Sequence, residues 1–358
     1  MRLLWLVPFG AVVCLLAQQN TTFSTDVNVV NIFASVHDKK QKPVGNLTQN
    51  DFTLSEDGHP QTIRYFSRET DLPLTLGLLI DTSQSQAGVL EDEKNTSERF
   101  LDQVLRPEKD RTFVIHFDRE TELLQDLTSS LPDLRKAIEQ VRLSSEERPQ
   151  LRQPGRGQTP GPMPRRQVRM GGTTLYDAVF LASDELLKSQ KGRKALILLT
   201  DGVDVGSKES LYSAIQSAQR SGVLVYSIWF TDRPESNRSG PVFGPIGGGM
   251  GRRGGMGRGG GGRYPTAQQR PDGKKILEQI SRETGGGFFE VTKKESISDI
   301  YTRIQEELRN QYSIGYVSDQ PAGGNFRRIV LTAKKSGLTV QAPLGYYPAA
   351  PQPESPHE

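Results

Sequence analysis

From Leu74 to Gln311 the chain alternates short, uninterrupted apolar runs with longer amphipathic stretches, and this restricts the fold more than any other feature. The apolar runs are LTLGLLI, RTFVIHF, KALILLT, VLVYSIWF and GFFEV, all of strand length. Among them, TLYDAVFLASDELLKSQ, SKESLYSAIQSAQRSG, GKKILEQISRET and SISDIYTRIQEELRNQ carry apolar residues at a helical period. A strand that is apolar on both faces has to be covered on both faces, and helices between successive strands supply that cover. The pattern therefore predicts an α/β fold over residues 72–311: a doubly wound, mainly parallel, Rossmann-like sheet.

The period changes at both ends. Residues 23–70 alternate apolar and polar positions (Val30, Ile32, Ala34, Val36), with turn signals in DKKQKP and at Asp57-Gly58, and read as a small β module. After Gln311 the strand period returns in YSIGYV, FRRIVLTAKK and LTVQAPLGYY, with Ser336-Gly337 reading as a hairpin turn. Residues 312–348 are expected to pair with the N-terminal module as a small β-sandwich, the α/β domain being inserted between the two halves. Residues 349–358 read as a loose, disordered tail.

Hydrophobic content is 34%, low for a globular chain, and 36 Gly with 22 Pro trace much of the deficit to two low-complexity inserts, 144–170 and 233–272. Both are basic. Residues 147–170 carry six Arg against one Glu, and residues 240–263 carry Arg252, Arg253, Arg258 and Arg263 with no acid. Glycine–arginine runs can contact RNA. The net charge of +3 does not favour nucleic acid, however, and the N-terminus points to export.

That N-terminus, MRLLWLVPFGAVVCLLAQQN, has one Arg before an apolar run that is too short for a membrane span and interrupted by Pro8. Residues 1–17 read as a cleaved signal peptide, which implies a secreted, periplasmic or cell-surface protein with no span left after cleavage. Cys14 is the only cysteine, so the mature chain would have neither disulfides nor thiol chemistry. The four histidines are scattered without zinc-like spacing.

The chemistry concentrates where strands end. IDTSQS closes the first strand and sets Asp81, Ser83 and Ser85 at alternate positions; MGGTTLYDA turns on a glycine pair, with Thr173 opening a helix; LILLTDGVD ends a buried strand in Asp201. In an open α/β sheet these stretches meet at the carboxyl edge, where such sheets bind ligands. A helix N-cap is the simpler reading of Asp81 or a serine, but one cap needs one oxygen. Two carboxylates and three hydroxyls, without His or Cys, form a hard-oxygen set suited to Mg²⁺, Mn²⁺ or Ca²⁺. Asp177 and Asp204 lie nearby and read as first-turn or loop acids.

The three stretches, in this order and spacing, resemble the metal-ion-dependent adhesion site (MIDAS) of von Willebrand factor A (VWA) domains over about residues 72–310. The β flanks resemble the exported bacterial proteins described as acidobacterial VWFA-related. The resemblance implies that Asp81, Ser83, Ser85, Thr173 and Asp201 form the metal site. The three hydroxyls would then coordinate directly, and each Asp directly or through water. It also implies a protein partner that presents an exposed Asp or Glu to the ion, and an adhesion or protein-binding function rather than catalysis. The competing readings are a metal-assisted phosphoryl or ester hydrolase and a structural scaffold with a vestigial site. Against the hydrolase, the sequence shows no second carboxylate two positions after Asp81, no placed Lys or His, and no GxSxG. Against the scaffold, all five oxygen-bearing residues are intact.

Overall fold

The computed structural model describes residues 29–68, 72–143, 172–230, 272–320 and 323–348. The signal segment 1–17, the insert 144–170, residues 233–271 of the second insert and the tail 349–358 lie outside the described residues.

The core of the α/β part is a six-stranded sheet in the order β10-β9-β8-β5-β6-β7. Its strands are β5 (Leu74–Asp81), β6 (Arg111–Phe117), β7 (Thr121–Thr128), β8 (Arg193–Thr200), β9 (Leu224–Trp229) and β10 (Phe288–Glu290). All neighbouring pairs are parallel except β6 with β7. The uninterrupted apolar runs become strands buried on both faces, as their patterning requires. In β8, Ala195, Ile197 and Leu199 face one apolar cluster while Leu196 and Leu198 face the other. The first cluster is covered by α1 (Leu90–Val104), α2 (Leu131–Gln140) and α6 (Ile297–Arg309); the second by α3 (Leu175–Leu181), α4 (Leu211–Ser221) and α5 (Gly273–Thr284). Each fully buried Leu or Ile contributes about 1.5–3 kcal/mol, so this double burial dominates the fold's stability.

Three local features depart from the sequence expectations. Strand β7 was not anticipated, because TELLQDLT is a half-exposed edge without an apolar run. The helix expected over 174–190 is α3 followed by a π-helical turn, Ala182–Leu187. Asp272, assigned from sequence to the second insert, caps α5 by accepting a hydrogen bond from the Lys275 N–H at 3.4 Å.

The terminal strands form two four-stranded antiparallel sheets. One has the order β13-β1-β11-β4, the other β14-β12-β2-β3. The strands are β1 (Val29–His37), β2 (Phe52–Glu56), β3 (His59–Gln61), β4 (Ile63–Arg68), β11 (Tyr312–Val317), β12 (Arg327–Ala333), β13 (Thr339–Gln341) and β14 (Gly345–Tyr346). N-terminal β1 pairs with C-terminal β11, and β2 with β12, so both ends of the chain build each sheet. Val30, Ile32, Ala34 and Val36 point into the shared core, where Phe52 packs edge-on against Tyr312 with ring centroids 5.5 Å apart. The turn at Asp57-Gly58 joins β2 to β3 with both residues at positive φ, 47° and 85°. Ser336-Gly337 does turn the chain, with Gly337 at φ 79°, but it does not close a hairpin. Strand β12 pairs with β2 and β14 whereas β13 pairs with β1, so the chain changes sheets at this corner.

Candidate metal centre

Strand β5 ends the sheet's middle at Asp81, and the chain then turns rather than entering a helix. The Thr82 N–H continues the pairing with β6 by donating to the Phe117 carbonyl at 2.9 Å. Asp81 Oδ1 accepts the Ser83 N–H at 2.9 Å, which bends the backbone back over the carboxylate. The Ser83 and Ser85 hydroxyls then lie 2.9 Å apart. A 3₁₀ turn, Gln84–Gly88, leads to α1, whose N-cap is Val89. No side chain of Asp81, Ser83 or Ser85 caps α1, and Ser83 makes no side-chain cap bond to its own 3₁₀ turn. The N-cap reading of these oxygens is thereby excluded.

Strand β8 delivers the second carboxylate. Thr200, its last residue, donates its hydroxyl to Asp81 Oδ2 at 2.6 Å and accepts the Gly202 N–H at 3.0 Å. Asp201 follows; its Oδ1 accepts the Val203 N–H at 2.9 Å, and its carbonyl accepts the Trp229 indole N–H at 3.0 Å. The backbone here is tight: a Cβ on Gly273 would stand 2.1 Å from the Asp201 carbonyl oxygen. Only glycine permits that approach.

Thr173 is placed by its backbone. It exchanges two hydrogen bonds with Val205, in the loop after β8, at 3.0 and 2.9 Å. The next residue, Thr174, donates its N–H to Asp118 in the loop after β6 at 2.6 Å and is the N-cap of α3. The segment is thus tied to the loops on either side of β5, the strand that ends in Asp81. Thr173 itself precedes the helix by two residues rather than opening it. Among the described residues, hydrogen bonds join Asp81 to Ser83 and Ser83 to Ser85, while none joins Thr173 or Asp201 to the other candidates.

Asp81 is completely buried and, among the described residues, has no ion pair. Burial pushes its carboxyl up from its ordinary value to about 7, against the lowering effect of the Ser83 and Thr200 hydrogen bonds, and the Asp201 charge raises it further. With one carboxylate buried beside another and no described ion pair to Asp81, the described part of this edge is short of positive charge. Its donors are carboxylate and hydroxyl oxygens, the set a hard divalent cation takes. Among the described residues no group of three or more His, Cys, Asp and Glu could hold a metal by itself, so the hydroxyls are indispensable to any such site. The residues present fit a small hard cation.

Asp177 and Asp204 have other work. Asp177 accepts the N–H groups of Lys208 and Glu209 at 2.9 and 2.8 Å, and Asp204 accepts the Ser207 hydroxyl at 2.6 Å. They shape the loop after β8. Sequence reasoning missed Thr200, the direct hydrogen-bond partner of Asp81. The signal was present in its place as the last residue of a buried strand, next to Asp201.

Fold and edge together define a class: an open, mainly parallel α/β domain with carboxylates and hydroxyls gathered at the carboxyl ends of its central strands. No protein-family model matches the chain, and no curated protein matches it. Among solved structures, proximal thread matrix protein 1 from the mussel byssus is similar at 16% identity and TM-score 0.45, the match covering 71% of this chain and 51% of that one. This chain therefore spans about half the length of that protein. The vWF domain of the type V pili tip protein Mfa5 from Porphyromonas gingivalis is similar at 12% identity and TM-score 0.41, covering 66% and 95%. A von Willebrand factor type A structure from Catenulispora acidiphila is similar at 11% identity and TM-score 0.41, covering 91% and 75%. The likenesses are partial at these scores, and the class of the fold rests on the strand order and pairing above.

Proposed function

We propose that this chain is an exported module that binds another protein through a divalent cation, with Asp81, Ser83, Ser85, Thr173 and Asp201 as the metal site and Mg²⁺, Mn²⁺ or Ca²⁺ as the ion. The observation that carries this reading is the burial of Asp81 among hydroxyls, beside Asp201, with no described cation to balance it. The arrangement of five oxygen-bearing side chains in the order of an adhesion site supports the same conclusion. When bound, the ion supplies a Lewis-acidic position for an anionic oxygen, and an exposed Asp or Glu of a partner protein has the chemistry to fill it. The chain's own residues hold and orient: Asp81 and Asp201 bring charge, and Ser83, Ser85 and Thr173 bring neutral oxygens that leave the ion electrophilic. Among the described residues no helix is long and apolar enough to cross a membrane.

Affinity capture from the source's own exported proteins, in Mg²⁺ and again in chelator, tests the reading. A partner retained in Mg²⁺, released by chelator and lost with Asp81→Ala supports it. Metal-dependent hydrolysis of phosphoryl or ester substrates, abolished by Asp81→Ala and Asp201→Ala, would replace it with an enzyme.

A further inference from the structure

Helix α1 presents a stripe of residues to the core at helical spacing: Leu90, Glu93, Ser97, Phe100, Leu101 and Val104. At the second of these positions stands a glutamate, fully buried, while its neighbours Glu91 and Asp92 are exposed. Burying a carboxylate costs several kcal/mol unless something compensates it. Among the described residues nothing does. Neither Glu93 oxygen has a hydrogen-bond partner, and Glu93 takes part in no ion pair. The adjacent Lys94 turns instead to Glu91, at 3.1 Å. Gln86 Oε1, in the turn that joins Ser85 to α1, is likewise buried without a partner.

Burial first, and then the Asp81 charge, push the Glu93 carboxyl well above its ordinary range. One turn further along α1, the Ser97 hydroxyl is 2.8 Å from that of Tyr301 of α6. Glu93 is thus a buried, unpartnered acid in the first turn of the helix that follows the candidate metal centre's Ser83–Ser85 turn. It makes no hydrogen bond to Ser83, Ser85 or Asp81, and it does not join Asp81 and Asp201 in a three-carboxylate ligand group.

We propose that Glu93 is an outer carboxylate of the metal centre, holding a water of the bound ion and adding a further negative charge to the site. The proposal rests on the metal reading above. It explains why a core-facing position of α1 carries an acid: a divalent cation beside Asp81 supplies the positive charge that no described side chain provides.

Calorimetric titration of the full chain, stripped with chelator, with Mn²⁺ and Mg²⁺ tests it, alongside melting curves in chelator. The native chain is expected to bind one ion, Asp81→Ala none, and Glu93→Gln one ion about 10–100-fold more weakly, as for other outer-shell partners. Glu93→Gln should melt no lower than the native chain in chelator, because it removes an uncompensated buried acid. Native affinity in Glu93→Gln, with binding lost in Asp81→Ala, overturns the role of Glu93 and leaves the centre standing. Lower melting in chelator with native affinity shows a merely structural residue and also overturns the role. Equal uptake by native chain and Asp81→Ala, or none by the native chain, overturns the centre itself and this proposal with it. If Glu93→Gln does not fold, Glu93→Asp, which withdraws the charge by one methylene, should bind more weakly than native; unchanged affinity there counts against the role.

Discussion

At the amino end of β6, the carboxylate of Asp110 is buried and meets the Arg106 guanidinium twice, at 2.9 Å each, and the Leu74 N–H at 2.9 Å. At the opposite end of β5, Asp81, enclosed more deeply than Asp110, meets two hydroxyl-bearing neighbours and no described cation. The consequences diverge. Burial would raise the Asp110 carboxyl, but the Arg106 and Leu74 hydrogen bonds outweigh it and hold the group below its ordinary value, whereas Asp81 rises to about 7. The β-sandwich follows the first pattern, with buried Glu56 2.9 Å from Arg327. This fold can supply cations to its buried acids, and does so away from the carboxyl edge. Among the described residues, Asp81 and Glu93 are buried acids without an ion pair, and a bound metal ion would supply the missing charge.

The comparison can be broken at its paired end first. Arg327→Met should strand Glu56 in the sandwich core and cost about 3–5 kcal/mol, read from urea unfolding. An unchanged midpoint would show that buried acids here need no partner, and the contrast with Asp81 would lose its meaning.

A second break uses pH. Without metal, folded Asp81 keeps its proton to about pH 7, while the unfolded chain loses it near the ordinary value of 3.8. The folded state then binds more protons across that window, so the Asp81 contribution makes stability fall as pH rises from about 4 to about 7, on the order of 1 kcal/mol per unit. Asp81→Asn should remove this slope, and saturating Mg²⁺ should flatten it. Unfolding curves with identical pH dependence in the native chain and Asp81→Asn would contradict the burial argument.

Much of this edge was legible because hydropathy drops abruptly where strands end. LTLGLLI running into Asp81, and KALILLT into Asp201, mark both the strands and the acids at their carboxyl ends. Strand β7 was not legible, since an edge strand with one solvated face has no continuous apolar run. The change of sheet at Gly337 was also hidden: a turn signal specifies a bend, whereas the partner of the following strand is decided by distant packing. Glu93 was invisible for a different reason. It sits in LEDEKN, a charged run that reads as a solvated helix face, and only the helix's placement shows that one of its acids turns inward.

Smaller effects sharpen the account. Gly273→Ala should force the Asp201 carbonyl away from a Cβ that would lie 2.1 Å from it, costing about 1–3 kcal/mol and weakening metal uptake together. Thermal melting and Mn²⁺ titration of the same preparation read both; loss of stability with native affinity would separate Asp201 from the site. Thr173→Ala should leave the fold intact, because Thr173 is held through its backbone, while reducing metal affinity about tenfold, a change of about 1.4 kcal/mol. Equal affinity in that variant would remove Thr173 from the site.

The central claim is that the buried carboxylate ending β5 exists to bind a divalent cation. Calorimetric titration of Mg²⁺ into the chelator-stripped full chain, compared with Asp81→Ala under identical conditions, measures it most directly. One ion per native chain and none per Asp81→Ala chain is the predicted result, with a rise in melting temperature confined to the native protein. Equal uptake by both chains would contradict the account.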